Sequence, residues 1–148
     1  MNCVFLSNSA GGGGAVSGES RIYNCTFYGN RAKDSGGAFL GGGWVYNSIF
    51  YKNTAGEKEN DIATDGNMEI DFSLVNYLTG AAHFGAHNIM GDPRFVDPDN
   101  GNLRLRPDSP AIDKGKSALA RSKHDRDGKP RVVGKRSIWA LTNGGENK

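Results

Sequence analysis

The sequence predicts an all-β chain: a short right-handed parallel β-helix of about three coils, closed by an irregular C-terminal segment. Three observations predict it. A seven-residue run recurs as Asn2-Cys3-Val4-Phe5-Leu6-Ser7-Asn8, Asn24-Cys25-Thr26-Phe27-Tyr28-Gly29-Asn30 and Asn47-Ser48-Ile49-Phe50-Tyr51-Lys52-Asn53, at steps of 22 and 23 residues. Within each copy, apolar residues alternate in the period of a strand. Glycine is also in excess, with 22 of 148 residues and no collagen-like period, roughly twice the usual share of about 7%.

The repeat carries further registers. Gly13-Gly14-Ala15-Val16 matches Gly36-Gly37-Ala38-Phe39, and more loosely Asn60-Asp61-Ile62-Ala63. Arg21-Ile22-Tyr23 is followed by Trp44-Val45-Tyr46 and Glu69-Ile70, and Asp71-Phe72-Ser73-Leu74-Val75-Asn76 is a weaker fourth copy of the first run. Three short apolar stretches per coil give a triangular cross-section. A leucine-rich repeat of similar period needs a Leu-x-x-Leu-x-Leu pattern that is absent. One coil cannot bury its own inner face, but stacked coils pair equivalent strands at about 4.8 Å and bury a continuous column. Phe5, Phe27 and Phe50 are then an interior aromatic stack, and Cys3, Cys25 and Ser48 a small-residue stack beside it. Asn8, Asn30 and Asn53 share a corner where side-chain amides bond along the axis. The glycine pairs allow a tight bend at another corner.

Residues 1–76 are read as the coils and residues 77–148 as a loop-rich segment packed on them, one domain overall. Residues 77–91 are expected as a loop. Asp99-Asn100-Gly101 is a turn between short strands around Arg94–Val96 and Asn102–Leu105. Ser109-Pro110 starts a short turn or helix.

The run Gly91-Asp92-Pro93-Arg94-Phe95-Val96-Asp97, then Asn102-Leu103-Arg104-Leu105, then Asp108-Ser109-Pro110-Ala111-Ile112-Asp113-Lys114-Gly115 resembles the C-terminal region of secreted bacterial right-handed β-helix repeat proteins. These are members of the pectate-lyase-like superfamily that often carry a choice-of-anchor tail, and the coil motifs are similar to the same family's repeats. The resemblance covers roughly residues 1–133. It implies a β-helix, a secreted or cell-surface setting and contact with polysaccharide. Two departures stand out. Asp125-Arg126-Asp127-Gly128-Lys129-Pro130-Arg131 is present, but the closing strand usual in the family is replaced by Lys135-Arg136-Ser137-Ile138-Trp139-Ala140-Leu141. Relatives also have more coils upstream, so the chain is expected to be a C-terminal piece that begins in mid-coil. It shows no signal peptide, and the residues do not fix a compartment. An uncovered first coil, open at Met1, Val4 and Phe5, invites edge pairing, so self-association into a homo-oligomer is expected.

Lyases of that superfamily hold calcium with acidic side chains and carry a basic residue on one outer strand face. The outward positions of the first strand here are Val4, Leu6, Thr26, Tyr28, Ile49 and Tyr51, with no acid or base among them. The reading therefore leans away from an enzyme. Leu6, Tyr28 and Tyr51 form an outward stripe, read as a ligand or interface surface: tyrosines for a sugar, or a face packed under the C-terminal segment or a second subunit. A polysaccharide lyase or glycoside hydrolase is the alternative. It requires a carboxylate cluster in a groove, such as Asp61, Asp65 and Glu69 converging. A purely structural assembly protein is the third reading.

Metal and cofactor signals are weak. Asp125 and Asp127, like Asp97 and Asp99, sit in turn sequences that resemble calcium loops but lack the later Glu. His83 and His87 have i, i+4 spacing without the metalloprotease Glu, and His124 is isolated. No cofactor is expected. Two cysteines make no disulfide framework. No apolar run reaches the roughly 20 residues of a membrane span. The net charge is +2, and basic residues between Lys114 and Lys135 lack interleaved aromatics, so nucleic acid is not an expected partner.

Overall fold

The computed structural model describes residues 1–64, 66–120, 123–125 and 127–130, and the backbone of 132–133 and 136–137. It is a parallel β-solenoid. The first coil carries Val4–Leu6 (β1), Ser9–Ala10 (β2), Val16–Ser17 (β3) and Ser20–Tyr23 (β4). The second carries Thr26–Tyr28 (β5), Arg31–Ala32 (β6), Phe39–Leu40 (β7) and Gly43–Tyr46 (β8). The third carries Ile49–Tyr51 (β9), Thr54–Ala55 (β10), Lys58–Glu59 (β11), Ile62–Ala63 (β12) and Met68–Asp71 (β13). A partial fourth follows with Leu74–Val75 (β14), Leu78–Thr79 (β15) and His83–Phe84 (β16).

The repeat registers pair as stacked rungs. Phe5 pairs with Phe27 and Phe27 with Phe50, all parallel, and Leu74 and Val75 continue against Ile49 and Phe50. The Phe5 and Phe27 rings stack at 4.5 Å and those of Phe27 and Phe50 at 4.3 Å. Around this column Ile22, Val45, Ile70, Phe39 and Ile62 fill one core. The small-residue stack is equally regular. Cys25 Sγ, Ser48 Oγ and Ser73 Oγ each donate to the carbonyl two residues earlier. The backbone N–H of Cys25 donates to Ser48 Oγ, and that of Ser48 to Ser73 Oγ.

The asparagine corner is a hydrogen-bonded ladder. Asn8 Nδ2 donates to Asn30 Oδ1 at 2.8 Å, and Asn30 Nδ2 to Asn53 Oδ1 at 2.9 Å. Asn53 Nδ2 in turn donates to Asp61 Oδ1 at 2.7 Å. Asp61 ends the column, because its other oxygen accepts the backbone N–H groups of Asn76 and Tyr77. A second asparagine column, Asn2, Asn24 and Asn47, has φ of 58°, 55° and 50°. Asparagine tolerates this left-handed corner better than most side chains. Two glycines show why the Gly-Gly-Ala motif recurs. Gly36 has φ of 63°, and a Cβ on Gly37 would lie 2.3 Å from the Asn60 carbonyl oxygen, so neighbouring coils approach backbone to backbone.

Two expectations are corrected. The coil has four strand columns rather than three. The extra column, β2-β6-β10, is built from Ser9–Ala10, Arg31–Ala32 and Thr54–Ala55, whose mostly small and polar residues give no apolar signal. Residues 77–91, expected as a loop, carry β15 and β16, which pair in parallel with β12 and β13. Two-residue strands are too short for alternation to register. The extra column ends in a fold-back: β11 pairs antiparallel with β10 and covers its edge.

The C-terminal segment lies on the outside of the β1-β5-β9-β14 sheet. Phe95–Asp97 (β17) and Asn102–Leu105 (β18) form an antiparallel pair around a 3₁₀ turn at Pro98–Asn100. Phe95, Leu103, Leu105 and Ala111 pack on Tyr28, Ile49 and Leu74 as a second apolar cluster. Farther on, Lys116 is tied to Asn47 through both its N–H and its carbonyl. Val132–Val133 (β19) and Arg136–Ser137 (β20) pair antiparallel. Ile138 to Leu141 lie outside the described residues.

Candidate functional site

The C-terminal cover decides the fate of the first outer face. Tyr28 is buried, with its ring edge-on to Phe95 at 5.9 Å and its hydroxyl donating to Asp99 Oδ1. Thr26 and Ile49, also expected outward, are fully buried. Tyr51 is partly covered, 6.4 Å from Phe95, at the rim of a hollow of about 180 Å³ shared with Lys52, Asp92, Arg94 and Arg106. Leu6 remains exposed beside Gly101. Of the stripe Leu6, Tyr28 and Tyr51, Tyr28 is thus packed under the C-terminal segment, while Tyr51 is partly covered and Leu6 exposed.

Of the carboxylates that the alternative enzyme reading would need, Asp61 and Glu69 do not meet. Asp61 is fully buried with both oxygens hydrogen-bonded; burial pushes its carboxyl above the ordinary carboxylate value, against those donors. Glu69 points outward from β13 on another sheet. Asp65 lies outside the described residues. The calcium candidates are occupied otherwise. Asp125 Oδ1 accepts the N–H groups of Asp127 and Lys129, and Asp127 pairs with Arg104 at 2.6 Å. Asp97 and Asp99 accept from Asn100 and Tyr28. His83 and His87 sit on a strand and in the turn after it rather than on one helix. Among the described residues no three His, Cys, Asp or Glu converge as a metal site.

A different surface carries the chemistry. The β4-β8-β13-β16 sheet turns Ile22, Val45 and Ile70 inward. Alternation then points the flanking residues out. Two outward ladders result. One is Arg21, Trp44, Glu69 and His83, and the other Tyr23, Tyr46 and Asp71, each residue in register with the next. The Arg21 guanidinium lies over the Trp44 ring at 4.9 Å. Tyr23 and Tyr46 stack at 5.6 Å. Tyr46 donates its phenol to Glu69 Oε1 at 2.5 Å; burial first, then this bond, hold the phenol well above its ordinary value. Trp44 stays 40% exposed.

Two hollows share Trp44 as their dividing wall. One, of about 530 Å³, is lined by Met1, Arg21, Tyr23, Trp44, Tyr46 and Leu119. The other, of about 380 Å³, is lined by Glu19, Trp44, Asn67, Glu69 and His83 with neighbouring backbone. At the edge of this face the His87 ring stacks on Phe72 at 4.2 Å and reaches Asp71 at 3.0 Å. Burial raises the Asp71 carboxyl, but the hydrogen bonds from His87 and Phe72 outweigh it and hold the group below its ordinary value. Gly85 leaves the space this arrangement needs, since a Cβ there would lie 2.3 Å from the Asp71 carboxyl carbon.

Sequence reasoning found this register as a repeat but assigned no inward or outward face to it. With Ile22 and Val45 inside, alternation places Arg21, Tyr23, Trp44 and Tyr46 outside, so the signal was present in Arg21-Ile22-Tyr23 and Trp44-Val45-Tyr46.

The Chlamydia polymorphic membrane protein repeat matches residues 2–19 and 24–42. Each match spans a Phe-x-x-Asn and a Gly-Gly-Ala motif, that is, the Phe column, the asparagine ladder and the glycine corner of one coil. No curated protein and no solved structure matches the chain. Repeat and fold together make this a β-helix repeat protein, of a build that fits a scaffold or surface module. Among the described residues no helix is long and apolar enough to cross a membrane.

Proposed function

We propose that this chain is a non-catalytic binding module in which a β-solenoid scaffold presents the Trp44 face to carbohydrate. The observation that carries the reading is an exposed tryptophan standing between two polar hollows on a rigid sheet. Aromatic rings with a few fixed polar groups are the usual makings of a small-ligand site, and ladder pairing holds these in place without a ligand. The polymorphic membrane protein repeat supports a surface setting. Likeness to pectate-lyase-like proteins rests on the 91–115 run and adds polysaccharide as the ligand class. Titration of the chain against a glycan array is expected to find a binder, and Trp44→Ala to weaken it about tenfold or more, the size of a lost aromatic contact of about 1.5 kcal/mol. Equal binding by Trp44→Ala and the parent chain would remove this face from the account.

A second reading, self-assembly, is favoured by one observation. On the β13 side of the coil stack, β16 carries Phe84, which continues the Ile22-Val45-Ile70 column yet is 42% exposed. Its partner would be a second copy of the chain, pairing at this edge. Light scattering at micromolar concentration is expected to give a dimer or larger mass that Phe84→Lys reduces. A monomer would exclude this reading.

A further inference from the structure

We propose that the two hollows flanking Trp44 form one site for an oligosaccharide bearing both an acidic and an amino group, the acid over Arg21 and the amine between Glu19 and Glu69. This inference rests on the carbohydrate reading above and names the ligand's charge pattern. Arg21, Trp44 and Glu69 occupy successive rungs of one ladder, so the opposite charges stand two rungs apart, roughly 10 Å at the backbone. Trp44 separates them. Among the described residues the ion pairs join Asp71 to His87, Arg94 to Asp108 and Arg104 to Asp127, and none uses Arg21, Glu19 or Glu69.

The permanent charges are divided between the hollows, with His83 beside the carboxylates. Arg21 is the sole Lys or Arg lining either one, and both carboxylates line the other. The Arg21 guanidinium already lies over the Trp44 ring, with Tyr23, Tyr46 and Leu119 around the same hollow. A planar fork fixed in this way loses little freedom on taking a carboxylate or sulfate in two hydrogen bonds. On the far side of Trp44, Tyr46 holds one Glu69 oxygen and leaves the other for an ammonium donor, with Glu19 across the hollow. A ligand of one sign gains on one side of Trp44 and nothing on the other. For a divalent metal, Glu19, Glu69 and His83 do not converge as a three-ligand group among the described residues, and a nucleic acid would find Arg21 as the one Lys or Arg lining the two hollows.

The test uses the full chain and calorimetric titration with four hexasaccharides: N-acetylated chitin (neutral), hyaluronan (acid only), chitosan (amine only) and partly de-N-acetylated hyaluronan (both). The doubly charged sugar is expected to bind about twofold to fivefold tighter than either singly charged one, the upper range of one exposed ion pair. Arg21→Gln should abolish its advantage over chitosan, and Glu69→Gln its advantage over hyaluronan, with circular dichroism unchanged. If the neutral sugar binds as tightly as the doubly charged one, the charge inference fails and the carbohydrate reading stands. If no sugar binds, the carbohydrate reading itself fails. Binding of a short Lys- and Asp-containing peptide in place of every sugar would also overturn the proposal.

Discussion

Phe27→Ala is expected to cost about 3–5 kcal/mol, the range for removing a buried aromatic ring, and so much of the stability of a small domain. The ring is fully buried and stacked on both faces, by Phe5 at 4.5 Å and Phe50 at 4.3 Å. No neighbour can collapse into the gap, because each belongs to a rung fixed by parallel pairing on one or both sides. Urea denaturation should show the loss as a lower midpoint. Phe27→Leu, which keeps most of the volume, should recover a large part of it. A Phe27→Ala loss below about 1 kcal/mol would mean that the column does not hold the coils together.

Asn53→Ala is expected to be comparably damaging, for a different reason. Asn53 is the fully buried middle of a polar chain. Its Oδ1 accepts from the backbone N–H and side-chain amide of Asn30, and its Nδ2 donates to Asp61 and to the Phe27 carbonyl. Truncation strands these partners, at about 1–3 kcal/mol for each buried group left unsatisfied. The loss should depend on pH. Burial raises the Asp61 carboxyl in the folded chain, and losing the Asn53 donor raises it further. A raised folded value means stability that is complete below the unfolded carboxyl pKa of about 3.9 and declines as pH climbs through the folded one. The gap between variant and parent should therefore be smallest below about pH 4 and widen toward neutrality. A gap independent of pH would show that Asp61 is not the partner that matters.

The sequence made the coil legible wherever a column repeats a large or chemically distinctive side chain. Phe5, Phe27 and Phe50, the ladder of Asn8, Asn30 and Asn53, and the glycine pairs recur at fixed spacing, because each must stack on its own kind. The β2-β6-β10 column was hidden because Ser9, Arg31 and Thr54 need only a backbone hydrogen bond and leave no pattern. The structural role of Asp61 was not legible because its link to Asn53 crosses a corner rather than a rung. The Trp44 face was missed because the outward reading was applied to the first strand of each coil and not to Arg21-Ile22-Tyr23 and its repeats. For the first outer face the sequence left a sugar surface and a packed face both open, because strand alternation reports which way Tyr28 points but not that Phe95, far along the chain, lies on it.

The most direct check on the stacked coils is a nuclear Overhauser spectrum with the Phe5, Phe27 and Phe50 rings selectively labelled. Cross-peaks from the Phe27 ring to both other rings, and none between Phe5 and Phe50 directly, are the expected result. A Phe27 ring that sees neither neighbour would contradict the column, and with it every face assigned to the solenoid.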